Sequence, residues 1–165
     1  MLAAVDVDYR DPRAVAACVL FREWTSSEPA EEHLAHLDEV HAYVPGKLYL
    51  RELPCLLAVL ARASVRPDVV LVDGYVSLGA GARGLGAHLF DALEGRAAIV
   101  GVAKTRYASA TDAVELTRGA SATPLFISAM GMDVRDAAEH VRSMHGAFRI
   151  PTLIKRADML CRNTP

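Results

Sequence analysis

Cysteine is sparse in this chain: Cys18, Cys55 and Cys161 are the only three among 165 residues, and they show neither CxxC spacing nor a paired-histidine motif. An odd, scattered set argues against a disulfide framework and a structural zinc site, leaving reduced, buried thiols as the expectation. Long apolar runs are missing as well. No stretch approaches the roughly 20 residues that span a bilayer, and the N-terminal MLAAVDVDYR carries acids where a secretory signal carries bases. A cytoplasmic protein without membrane association is expected. Positive charge is not in excess either, since 18 Lys and Arg stand against 20 Asp and Glu. That gives no support to a strongly basic nucleic-acid module, although a local basic groove is compatible with it. Internal repeats and interdomain linkers are also lacking. What is present, 52% hydrophobic and 23% charged residues, is the composition of a globule with one sizeable core.

Leu2 to Tyr9 and Arg13 to Trp24 are apolar, β-compatible runs separated by the turn signal Arg10-Asp11-Pro12, and they predict a hairpin. Thr25 to Glu32 reads as a loop, and Val40 to Val44 as a third antiparallel strand. A helix-period face then begins near Leu53, with Pro54 in the first turn, and ends near Ser64 to Pro67. Val69 to Val72 and Ala97 to Val102 are continuous apolar runs of the kind buried on both sheet faces, with a crossover helix over Gly84 to Leu93 between them. A strand at Pro124 to Ile127 and helices over Val134 to Met144 and Thr152 to Cys161 complete the chain. The fold class is therefore α/β: a ribonuclease H-like mixed sheet, an antiparallel meander followed by parallel strands, covered by helices.

Three acids fall where such a sheet does chemistry. Asp6 lies inside the first strand, on the opposite sheet face from Val5 and Val7. Asp73 closes the run Val69 to Val72, at the strand end where open α/β sheets place ligands. Glu52 stands at the start of the predicted helix, where the helix dipole also favours its charge. A hard divalent cation needs only two or three carboxylates from separate elements. Each acid alone serves equally well as a cap, a turn residue or half of a salt bridge. Lys104 ends its strand as Asp73 ends its own, so a parallel pair would bring both to one sheet edge, where the lysine could hold a phosphate or simply be solvated. Tyr43-Val44-Pro45-Gly46 is a rigid strand exit whose tyrosine either stacks on a nucleobase or packs into the core.

The segment Gly74 to Gly86 formally contains GxGxxG at Gly79 to Gly84, yet it stands away from the strand and lacks both GK[ST] and the later acid of a dinucleotide site. It reads as a backbone-rich loop that a ligand can approach closely. Ser77, Ser128 and the cysteines lack the framing of a nucleophilic triad, and His33, His36 and His41 read as solvated or capping residues.

Taken together, four ordered strings resemble the endonuclease V family, the deoxyinosine 3′ endonucleases. They are Ala4-Val5-Asp6-Val7-Asp8-Tyr9, Tyr43-Val44-Pro45-Gly46-Lys47-Leu48-Tyr49-Leu50-Arg51-Glu52, Val72-Asp73-Gly74 and Val100-Gly101-Val102-Ala103-Lys104. Weaker echoes follow in Pro124 to Ser128 with Gly131, and in Ile150-Pro151-Thr152 with Arg156-Ala157-Asp158. The resemblance spans nearly the whole chain and implies a single domain over residues 1–165. It implies that Asp6, Glu52 and Asp73 are catalytic residues holding magnesium, with manganese as the alternative. It places Lys104 near the scissile phosphate, and Asp158 at a further polar position by the metal. Tyr43, Val44, Pro45 and Gly46 match the wedge that inserts at the lesion, and Gly46, Leu48 and Gly74 fall at pocket-lining positions. The implied partner is DNA or RNA containing inosine, cut to leave 3′-hydroxyl and 5′-phosphate ends.

The departures are specific. Where the family has His-Gly after the Asp-Gly pair, this chain has Tyr75-Val76, and Gly79 stands at the position of the later histidine. Gly131-Met132 replaces a Gly-His, and Ala80-Gly81-Ala82-Arg83 replaces a Pro-Arg-Arg stretch. The chain also begins without the N-terminal helical extension that many members carry. Two competing readings follow: an attenuated homologue that binds nucleic acid or a protein partner, and a metal-dependent enzyme on a small phosphorylated substrate.

Overall fold

The computed structural model describes residues 1–45 and 47–164. β1 (Leu2–Arg10) and β2 (Arg13–Phe21) form the expected hairpin, in register from Leu2 opposite Phe21 to Arg10 opposite Arg13. The third strand differs from expectation: β3 is Glu31–Leu37, paired antiparallel to β2, while 40–44 carries no regular structure. As the outermost strand of the sheet, β3 buries only Ala35, so its polar composition hides it from a hydrophobicity reading. α1 also starts earlier than predicted, at Leu48–Leu60, with Pro54 in its interior. Glu52 is therefore in its second turn rather than at its start.

β4 (Val69–Val72) and β7 (Ala98–Ala103) run parallel to β1 and to one another, with α2 (Leu85–Ala92) as the crossover. The Gly-rich segment holds a small separate hairpin of β5 (Ser77–Gly79) and β6 (Ala82–Arg83). β8 (Val114–Leu116) and β9 (Leu125–Met130) follow, and β9 pairs antiparallel to β7. The parallel part thus ends at β7, because residues 104–124 contain no helix to carry a crossover. The seven-stranded order is β3-β2-β1-β4-β7-β9-β8. α3 (Val134–Ser143), capped by the Asp133 carboxylate on the Arg135 and Asp136 amides, and α4 (Thr152–Asn163) close the fold.

Strand alternation divides the core. Ala3 and Val5 face the α1 and α2 side with Cys55, Leu56, Val59 and Leu89, whereas Leu2 and Ala4 face α3 and α4 with Val141, Leu153 and Ala157. Alanines at 3, 4, 14, 16 and 17, all fully buried, let the helices lie close to the central strands. Cys18, Cys55 and Cys161 are free and buried, as expected. No helix among the described residues is long and apolar enough to cross a membrane.

Candidate active site

Asp6 and Asp73 reach the same edge of the sheet because β1 and β4 are parallel and in step. Val5 pairs with Val72, and each aspartate is the next residue. Asp6 shares the strand parity of Leu2 and Ala4, so it projects toward α4, where Asp158 lies near enough to raise its proton affinity. Glu52 comes from α1, on the other face, and is 8% exposed. Burial pushes its carboxyl up to about 8, with the charges of Asp6 and Asp73 adding to the effect. Asp6 is raised to about 6, first by burial and then by Asp73, against the opposing pull of the Val7 amide, 2.8 Å from its Oδ1, and of Lys104.

Lys104 lies one residue past β7, and its ammonium donates to Asp73 Oδ2 at 2.6 Å. The expectation that the two strand ends meet is correct. Partial burial disfavours the ammonium, but the Asp73 carboxylate outweighs it and holds the lysine above its ordinary value. Asp158 accepts from Arg162 Nε at 2.5 Å on α4.

Among the described residues, no three His, Cys, Asp or Glu side chains are grouped tightly enough to close round an ion as they stand. The donor chemistry nevertheless suits a hard cation. Asp6 and Glu52 form no salt bridge among the described residues, and burial together with the neighbouring acids makes both hold their protons more tightly, so the edge offers carboxyl oxygens whose ionised form a cation would favour.

Two residues outside the expected site set hold Lys104 and the segment that follows it. The Arg149 guanidinium donates to the carbonyl of Lys104 and, at 2.9 Å, to that of Pro124. Tyr75, at a position where the family has histidine, is buried; its hydroxyl donates to Thr105 O at 2.8 Å and accepts from the Tyr107 amide at 3.1 Å. The loop carrying Tyr75 sits directly on the sheet, because Gly101 has no side chain. A Cβ there would meet Gly74 O at 2.5 Å and Ser128 Oγ at 2.6 Å. Arg51, beside Glu52 in sequence, pairs instead with Asp11 at 2.5 Å and lies over the Tyr9 ring.

Tyr43 is 61% exposed, and Val44, Pro45 and Leu48 are exposed beside it, so the core-packed alternative for the tyrosine does not hold. Gly46 lies outside the described residues. Gly74 has φ +132°, and a Cβ there would meet nothing within 4 Å. Three of the six histidines are engaged away from the acids, His33 with Glu31, His88 stacked on Tyr49 and His140 on Trp24, while His36 and His41 are exposed, as a solvated reading expects.

An antiparallel meander joined to parallel strands, with acids crowded at the strand ends, is the layout of ribonuclease H-like phosphodiester hydrolases. The family model for Endonuclease V matches residues 1–159. The Endonuclease V of Streptomyces coelicolor is 33% identical over 98% of this chain and 77% of its own length, and that of Xanthomonas axonopodis 31% over 97% and 76%. Among solved structures, the Endonuclease V of Streptomyces avermitilis superposes with a TM-score of 0.80 at 29% identity, covering 98% of this chain and 79% of that one. The catalytic domain of human Endonuclease V gives 0.78 at 27%, covering 98% and 80%. The chain belongs to the endonuclease V family, whose members are nucleases.

Proposed function

We propose that this chain is a metal-dependent endonuclease that cleaves the phosphodiester backbone near inosine or deoxyinosine in DNA or RNA, acting as a single cytoplasmic domain. The observation that carries the reading is the gathering of Asp6, Glu52, Asp73 and Lys104 at one end of the parallel strands. The substrate comes from a structural relative. The Ciona intestinalis Endonuclease V, TM-score 0.81 at 18% identity and covering 98% of this chain and 84% of that one, was solved with DNA containing an inosine followed by a ribo-adenosine.

Asp6, Glu52 and Asp73 would hold the ion, magnesium or manganese, with Asp158 behind Asp6. A divalent cation there supplies activation of a water and neutralisation of phosphate charge. Lys104, kept protonated by Asp73, holds a non-bridging phosphate oxygen at the sheet edge. Water attacks the phosphorus in line and the P–O3′ bond breaks, leaving 3′-hydroxyl and 5′-phosphate ends. Tyr43, Val44 and Pro45 form the wedge, with Gly46 completing the motif, and displace the base at a cost that is least for a poorly paired one. Leu48 and Gly74 line its pocket, and the open side of Gly74 lets the ligand approach the backbone.

One observation favours the attenuated-homologue reading. Gly79 cannot be turned back into the family's histidine, because φ is +81° and a Cβ would stand 1.5 Å from Ser109 O. The proton or metal-water role of that side chain is absent from this site. A cleavage assay on inosine-containing and unmodified DNA and RNA, with magnesium, manganese or a chelator, separates the readings. Cutting of inosine strands only with metal supports the endonuclease; tight binding without cutting supports the attenuated homologue; turnover of small phosphoesters alone refutes both.

A further inference from the structure

Phe148 is 75% exposed, the most exposed large hydrophobic side chain among the described residues. Its backbone is nonetheless held firmly. The buried Arg118 donates to the carbonyls of Met144, Gly146 at 3.0 Å, Phe148 at 2.6 Å and Arg142 at 3.3 Å, gathering the connection between α3 and α4 around one guanidinium. The next residue, Arg149, ties the same segment to the carbonyl of Lys104. An aromatic ring is thus displayed in water on a fixed backbone, which lowers the ordering cost of using it as a binding platform.

The ring borders a cleft of about 590 Å³ whose wall includes Lys104, Ser121, Arg149, Lys155 and Asp158. This volume is within the usual range for a small-ligand site, enough for one nucleotide unit. The cleft is continuous with the catalytic edge through Lys104 and Asp158. Its charge favours an anion: Lys155 is exposed and forms no salt bridge among the described residues, while the one acid, Asp158, is engaged by Arg162. A second cleft on the other side of Phe148, about 420 Å³, is less suitable because Glu28 lines it and its Arg156 is paired to Glu32.

We propose that the cleft between Lys104 and Phe148 binds the nucleic-acid strand where it continues past the cleaved phosphate, with Phe148 stacking one of its bases and Lys155 contacting a backbone phosphate. The assignment rests on the endonuclease reading above. It extends that reading to the opposite side of the sheet: Tyr43 lies in the segment leading into α1, which packs on one face, whereas Phe148 lies in the segment leading into α4, which packs on the other, and both rings are exposed. Stacking on an aromatic face tolerates any base, so this contact would add affinity without selecting sequence.

The test is a scan with the fluorescent base 2-aminopurine, placed one to four nucleotides on either side of inosine in a single strand. Calcium replaces magnesium, so that binding is read without cutting. Wild type should quench the probe at one or two adjacent positions on one side only. Phe148→Ala should lose that quench and bind about 10-fold more weakly, the worth of one base-aromatic stack. Phe148→Trp should retain the quench. Lys155→Ala should keep it while reducing the slope of affinity against salt by about 1, as loss of one phosphate contact does. Unchanged quenching in Phe148→Ala, or an equal loss at every probe position, overturns the inference. The same scan with adenine in place of inosine isolates the underlying reading: no preference for inosine in wild type refutes the substrate assignment, whereas a Phe148-dependent quench on the adenine strand upholds the cleft.

Discussion

The ammonium of Lys104 lies 2.6 Å from the carboxylate of Asp73, across the ends of two parallel strands. Both side chains are 37% exposed, so solvent screens the pair and its net worth to folding is small, below ~1 kcal/mol. What it does is place a positive charge beside a carboxylate of the proposed metal site.

Lys104→Ala is therefore expected to leave the melting temperature within a few degrees of wild type while lowering the cleavage rate on inosine strands by about 100-fold, the usual loss when a preorganised charge at a reacting phosphate is removed. Thermal melts and single-turnover rates check both parts. An unchanged rate would remove Lys104 from the reaction.

Asp73→Asn probes metal dependence directly. The amide is nearly isosteric but supplies no negative charge, so metal-dependent cleavage should vanish while the fold is kept. Without divalent ions the melting temperature should move little, because the Lys104 contact that it alters is exposed and weak. Magnesium-dependent cleavage by this variant would refute the assignment of Asp73 as a ligand.

Much of this arrangement was legible in the sequence because strand ends are local features. Val69–Val72 and Ala98–Ala103 are buried on both faces and appear as unbroken apolar runs, and Asp73 and Lys104 are simply the residues that follow. α3 and α4 were equally clear, each with its own periodicity and start signal. β3 was not, since an edge strand needs little apolar surface, and α1 was placed too late because Pro54 resembles a first-turn proline. Arg118, Arg149 and Tyr75 act through carbonyls 24 to 45 residues away, and no spacing rule announces such contacts. Crowding among Asp6, Glu52 and Asp73 likewise depends on three separate elements meeting in space.

That crowding makes the metal-free protein sensitive to pH. A carboxyl that holds its proton more tightly in the folded chain than in the unfolded one makes folding take up a proton, so stability falls as pH rises between the two values. Asp6 moves from 3.8 to about 6 and Glu52 from 4.5 to about 8. With chelator present, the melting temperature should decline from about pH 5 to pH 8, and Glu52→Gln should flatten the decline above pH 6. Added magnesium should raise the melting temperature more at pH 8 than at pH 6, because protons compete for the same oxygens. Chelated wild type and Glu52→Gln with identical pH profiles would rule out a buried, proton-holding Glu52.

Tyr43 allows a separation of binding from folding. At 61% exposure its ring contributes little to the core, and Val44 and Leu48 beside it are also exposed, so Tyr43→Ala should melt with wild type. Its binding to an inosine-containing strand should weaken by about 1 to 3 kcal/mol, the range of a base-aromatic stack. Pro45 restrains the backbone two residues on, so the ring is offered at reduced ordering cost. The change should also be selective. A wedge acts where a base is displaced, so binding to an unmodified strand should fall less than binding to the inosine strand, and Tyr43→Phe should restore most of the difference because stacking needs the ring rather than the hydroxyl. Affinity titrations on both strands, with melts of both variants, provide the comparison. Equal weakening on the two strands would make Tyr43 a general contact, and a lowered melting temperature with unchanged preference would show that the ring supports the fold, leaving the carboxylate site as it stands.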